Sequence, residues 1–194
     1  MQTVETPKIA VVGYGRHGKD EVGQIISKIT RLRYGGSTSW AALPYVANAL
    51  QIHPQVAWET RHQHRQFWKD YCDWLRRDDP CFLINLVLGQ ADMVVGIRDK
   101  IELDTMRERQ LVKTIIWVDA SLRVGPEKDP TVTFGKSDAD LVLSNNGTLD
   151  GLYASVYFLC QSLALPLRGG FIDCMKLIDR PLAPDRFIPE RTER

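Results

Sequence analysis

The chain is poor in the features that would place it outside the class of ordinary folded domains. Cysteine occurs four times in 194 residues (Cys72, Cys81, Cys160, Cys174), never as C-x-x-C or at another metal-ligand spacing. That excludes a metal-ligating cysteine set, argues against a disulfide scaffold, and fits a reducing, cytoplasmic compartment. No run approaches the roughly 20 apolar residues of a membrane span, and the polar start, residues 1–7, lacks the apolar centre of a signal peptide. Charge of one sign is equally scarce. The 25 Lys and Arg against 24 Asp and Glu leave +1, which excludes stable attachment to nucleic acid or a membrane by bulk charge, though not a local basic patch. Internal repeats and low-complexity tracts are absent. What is present is a 44% hydrophobic, 25% charged composition, that of one globular domain with a real core.

The hydrophobic pattern alternates strands with helices. Residues 9–12 are a short β-branched run that meets glycine at once, as a buried parallel strand does. Val22, Ile25, Ile26 and Ile29 then recur at helical spacing. The stretch 35–39, Gly-Gly-Ser-Thr-Ser, reads as a loop, with Ser39 capping a helix over about 40–50 and Pro44 near its first turn. Bulky residues between 58 and 75 predict one amphipathic helix with a crowded aromatic face, and Asp79-Pro80 predicts the start of another, to about 88. Residues 93–97, 114–118 and 141–143 read as strands, 100–110 and 149–163 as helices, and 171–178 as a further strand in an otherwise irregular Pro- and Arg-rich tail from about 166. Such alternation implies right-handed crossovers and a parallel sheet covered on both faces, an α/β fold of three layers.

The segment that carries chemistry is Gly13-Tyr-Gly-Arg-His-Gly-Lys-Asp20, a G-x-x-x-x-G-K pattern between a predicted strand and a predicted helix. Glycines let successive N–H groups turn inward as an anion nest, and the helix N-terminus adds partial positive charge. Gly13, Gly15, Arg16, His17, Gly18, Lys19, Asp20 and Glu21 are therefore expected to hold the phosphates of a nucleotide, with Lys19 following charge as it moves. The usual hydroxyl residue after the lysine is replaced by Asp20, a hard oxygen ligand for Mg²⁺. Asp119, after a run of apolar residues, is a second metal candidate, with a plain turn residue as the alternative. Arg98, at a predicted strand end, is read either as a phosphate ligand or as the ion-pair partner of Glu102 one turn on. Arg61 and Arg65, four apart on one predicted face, would fork onto an acceptor phosphate unless they form a solvated face. Ser37, Thr38 and Ser39 offer hydroxyls and N–H groups to substrate by position alone. The pair His62 and His64 lacks a third ligand and is rejected as a metal site.

The loop ending Gly-Lys-Asp, together with Asp138-Ala-Asp-Leu-Val-Leu-Ser-Asn-Asn-Gly-Thr-Leu-Asp150, resembles the deoxynucleoside monophosphate kinases of tailed bacteriophages. A weaker third match is Met93-Val-Val-Gly-Ile-Arg-Asp-Lys-Ile-Glu102, and the likeness spans about residues 8–163. It implies a three-layer P-loop NTPase fold of the nucleoside monophosphate kinase kind, with acceptor-binding helices at about 35–90 and a short lid at about 120–137. Asn146 and Gly147 are then expected near the base of the phosphate donor, and Arg123 in the lid to assist transfer. The chain departs from the family at Glu21, where Thr is common, and at Gly96, where Asp is expected.

The implied activity is Mg²⁺-dependent transfer of the ATP γ-phosphoryl group to a (deoxy)nucleoside monophosphate, with Lys19, Arg98 and Arg123 acting on the moving charge. Partners are nucleotide substrates, without nucleic acid or membrane, in the host cytoplasm if phage-encoded; a homodimer is left open. Animal-type phosphomevalonate kinase shares a Gly-Lys-Asp loop, so another small phosphorylated acceptor is the enzymatic alternative, and a nucleotide-binding protein without transfer is the other.

Overall fold

A computed structural model describes residues 6–124 and 132–178. Five strands form one all-parallel sheet in the order β2-β3-β1-β4-β5: β1 Ile9–Val12, β2 Tyr34–Ser37, β3 Met93–Val95, β4 Thr114–Asp119 and β5 Leu141–Ser144. β1 lies at the centre, with Ile9 opposite both Met93 and Thr114. All four of its residues are buried, which is why it reads as an unbroken apolar run rather than an alternating one.

Helices cover both faces. On one, α1 (Lys19–Ile29), α7 (Leu149–Ser162) and α8 (Phe171–Ile178) pack Val22, Ile25, Ile26, Ile29, Val156 and Cys160 against Ile9, Val11 and Ile116. On the other, α5 (Phe82–Leu88) and α6 (Lys100–Glu108) meet Ala10, Val12, Val94 and Trp117. Burying each branched side chain in these layers is worth about 1.5–3 kcal/mol. A third cluster joins α2 (Thr38–Leu50), α3 (Pro54–Glu59), α4 (Arg65–Leu75) and α5 through Val46, Ala57, Trp68 and Leu83. No helix among the described residues is long and apolar enough to cross a membrane.

Several expectations need correction. The Gly35-Gly36 loop is part of edge strand β2, and the cap of α2 is Ser37, whose Oγ accepts from the Trp40 N–H, rather than Ser39. The earlier start puts Pro44 inside α2, where it withholds an N–H from the Trp40 carbonyl. The single helix expected over 58–75 is two. His53 and Pro54 open α3, which ends at Glu59, and a turn of i−3 bonds, Gln63 to Thr60 and His64 to Arg61, separates it from α4 at Arg65. Asp79 does accept from the Cys81 N–H, but regular helix starts only at Phe82. Residues 171–178 are a helix, not a strand. Phe171, Cys174 and Ile178 fall at helical spacing, and the last two are buried. Residues 125–131 of the expected lid, Lys128 among them, and the tail from 179 lie outside the described residues.

Candidate functional site

The connection from β1 runs toward one edge of the sheet and that from β4 toward the other, so the carboxyl ends of these two strands form the switch point at which open α/β sheets bind ligands. Residues 13–20 occupy it. Gly13, buried at φ 144°, lies so near β4 that a Cβ would stand 2.6 Å from the Val118 carbonyl oxygen. Gly18, the N-cap of α1 at φ 88°, would place a Cβ 2.5 Å from Asn145 Nδ2. Both positions require glycine, for close approach and for left-handed backbone. Arg16, exposed, also takes positive φ, 61°.

Lys19 opens α1 and is only 8% exposed. Its Nζ curls back over the loop to donate to the Tyr14 carbonyl at 2.8 Å. An ammonium parked on a carbonyl beside a helix N-terminus is positioned for an anion. His17 points the other way. Its ring is buried, packs edge-on against Tyr14, and receives the Ala120 N–H on Nδ1 at 3.1 Å. The same Nδ1 lies 3.2 Å from the Val118 carbonyl oxygen, so both of its neighbours lie at the end of β4. The His17 side chain therefore anchors the loop to the end of β4.

Asn145, unremarked at the level of sequence, is the second anchor. It is buried, and Nδ2 donates to the His17 carbonyl at 2.9 Å. Its neighbour Asn146 accepts the Leu122 N–H on Oδ1 and donates to the Asp119 carbonyl, tying β5 to the segment after β4. Gly147 is exposed beside it. Arg123 donates from Nε to the Asn145 carbonyl at 3.1 Å, so it lies against this scaffold. The only sequence signal for Asn145 was its place in the Ser-Asn-Asn-Gly-Thr stretch.

Two carboxylates flank the loop. Asp20 is exposed in the first turn of α1, and its Oδ1 accepts from the Tyr34 hydroxyl at 3.0 Å. A carboxylate has about four lone-pair sites, so one accepted bond leaves it able to ligate a cation. Asp119 ends β4, and the Ser121 backbone N–H, with its hydroxyl next, holds the Asp119 carboxyl below its usual range. Glu21 is exposed one residue beyond Asp20. Among the described residues no group of three or more His, Cys, Asp or Glu could hold a metal alone. Mg²⁺ typically takes one or two carboxylates and fills its shell with phosphate oxygens and water, and this donor set fits that habit.

The acceptor candidates are placed differently from expectation. Ser37 is engaged as a helix cap, and the buried Thr38 donates its hydroxyl to the Gly96 carbonyl at 3.0 Å; Ser39 is half-buried in the first turn. The Thr38 hydroxyl thereby fastens the start of α2 to the residue that follows β3. Arg61 stacks on Trp58 at 4.0 Å in the turn before α4, whereas Arg65 begins α4, so the two do not share one helix face. Arg98 lies just past β3, half-buried. Glu102 takes its ion pair from Arg76, 2.5 Å away, and meets Arg98 through the Arg98 backbone N–H.

The structure thus gathers the 13–20 loop, Asp119, Asn145, Asn146 and Arg123 at one edge, and places Arg98 on the neighbouring strand end. No protein-family model matches the chain, and no curated protein matches it.

Proposed function

We propose that the chain is a P-loop kinase that transfers the γ-phosphoryl group of ATP to a nucleoside or deoxynucleoside monophosphate. The observation that carries this reading is the 13–20 loop itself. It leaves the central strand of a parallel sheet, enters a helix at Lys19, and is braced from below by His17 and Asn145.

In this reading the loop N–H groups and the α1 N-terminus hold the phosphates of the donor. Lys19 exchanges the Tyr14 carbonyl for the β- and γ-phosphates. An oxygen of the acceptor phosphate attacks the γ-phosphorus as the bond to the β–γ bridging oxygen breaks, and ADP departs carrying that oxygen. Lys19 offsets charge gathering on the bridge, and Arg98 aligns the acceptor, since this transfer depends on positioning and electrostatics. Asp20 and Asp119 would hold Mg²⁺, which when bound neutralises phosphate charge.

The test is direct. Purified protein is incubated with ATP and a panel of ribo- and deoxyribonucleoside monophosphates, and ADP and diphosphate products are quantified. Stoichiometric ADP and nucleoside diphosphate support the reading. ATP binding without transfer to any acceptor overturns it in favour of a nucleotide-binding protein, and transfer only to another phosphorylated metabolite reassigns the acceptor.

A further inference from the structure

We infer that Arg76 and Glu102 are positioning residues for the acceptor arginine, Arg98, an inference that rests on the kinase reading above. Glu102 is 2% exposed in the first turn of α6. Its Oε2 accepts the backbone N–H groups of Asp99 at 3.2 Å and Arg98 at 3.4 Å, while Asp99 caps the same helix in return. Onto that one oxygen comes Nη1 of Arg76 at 2.5 Å, from the C-cap of α4. Arg76 is itself braced, with Nε on the Cys72 carbonyl at 3.2 Å and Nη2 on Asp73 at 2.5 Å. A single buried atom therefore joins the backbone that carries Arg98 to the end of a helix some twenty residues earlier.

Helix capping alone does not require this arrangement. A capping glutamate is satisfied at a wet surface by the N–H groups it accepts, whereas a buried pair desolvates both charges. The pairing is also one-sided, because Oε1 is buried without a hydrogen-bond partner. A contact optimised for stability would share the fork between both oxygens. What the contact does achieve is geometric. It fixes the backbone of residues 98 and 99 against α4, and with it the point from which the Arg98 side chain extends.

The experiment uses Arg76→Lys, which keeps charge and stem but lacks the fork that spans Cys72, Asp73 and Glu102, and Glu102→Gln, which keeps an acceptor for the two N–H groups. Steady-state kinetics should show KM for monophosphate raised between about 10- and 100-fold in both variants, the scale of a misplaced reacting group, with ATP affinity little changed. Amide exchange at residues 98 and 99 should quicken in Arg76→Lys. Asp78→Asn, which removes only an exposed pair with Arg77, should stay within about twofold of wild type. Variants that melt earlier yet keep the wild-type monophosphate KM overturn the inference and leave a purely structural pair, as does an equal loss of ATP affinity. If wild-type protein transfers to no monophosphate, the kinase reading itself falls, a result separable from a normal wild type with unaffected variants.

Discussion

The carboxamide of Asn145 donates to the carbonyl oxygen of His17 across 128 residues of sequence, at 2.9 Å and out of contact with water. The same residue's backbone N–H reaches the Asp119 carbonyl at 2.7 Å, and His17 in turn receives the Ala120 N–H. Three chain segments, leaving β1, β4 and β5, are thereby fastened to one another beneath the loop. A loop that must present several N–H groups to one anion gains from being held in that shape before the anion arrives.

Asn145→Ala leaves the His17 carbonyl buried and unsatisfied, which should cost about 1–3 kcal/mol of stability. It should also weaken ATP binding, because the freed loop must be ordered by the ligand. Asn145→Asp should bind ATP more weakly still, since it sets a carboxylate against a carbonyl and near incoming phosphates. Thermal melts paired with ATP titration calorimetry check both effects. A lowered melting temperature with unchanged ATP affinity would mean that the bond serves the fold alone.

Lys19→Ala should lower the melting temperature only modestly, because the ammonium it removes donates to the carbonyl of its own loop and joins none of the apolar clusters. Phosphoryl transfer should fall by about 10²–10³-fold, the usual scale for removing one preorganised group that meets developing charge. Turnover near the wild-type rate in the purified variant contradicts the role given to this residue.

Asp20→Asn keeps an acceptor for the Tyr34 hydroxyl while removing the charge. Nucleotide affinity should drop with Mg²⁺ present and change much less in chelator, since the N–H groups of the loop are untouched. Calorimetric titrations with and without Mg²⁺ distinguish the two cases. Equal losses under both conditions would make Asp20 a carboxylate that serves only the helix N-terminus.

The central strands and the loop were legible in sequence because each is local. A buried β-branched run, glycines at fixed offsets and a helical period are all contained in residues 9–29. The strands β3, β4 and β5 were legible for the same reason. What escaped was decided by tertiary contact. β2 contains two glycines and is held in place by β3, so nothing in Tyr34–Ser37 announced a strand. The α3–α4 break lies in a polar turn around residues 60–64, where backbone bonds shift to the tighter Gln63-to-Thr60 and His64-to-Arg61 pattern, a change that no hydrophobic period announces. α8 reads as β because Phe and Ile favour strands, yet its Cys174 and Ile178 face the core at helical spacing. In the site, nothing in the sequence spacing pairs Glu102 with Arg76, yet the fold brings the two together as an ion pair. Asn145 and Tyr34 act by reaching across the sheet edge, and no spacing rule encodes such a reach.

At the opposite end of the sheet, Asp92 should give the protein a defined acid sensitivity. Its carboxylate accepts the Arg33 backbone N–H and Nε on Oδ2, at 2.9 and 3.1 Å, and Nη2 on Oδ1 at 3.2 Å. Burial by itself would raise this carboxyl. The hydrogen bonds from Arg33, side chain first, and then the charges of Arg33 and Lys8 outweigh it, so the folded carboxyl titrates below its usual range. A carboxyl depressed on folding contributes stability that is fully present above the unfolded value, about 3.9, and is lost as pH falls through the lower folded value. Asp92→Asn should therefore melt below wild type at pH 7, and the gap should narrow as pH is lowered beneath about 4. Because Asp92 borders the amino-terminal end of β3, ATP affinity of the variant at pH 7 should match wild type. Melting curves from pH 7 to pH 2.5 settle the point: a gap that stays constant across that range means that the pair holds by shape and not by charge.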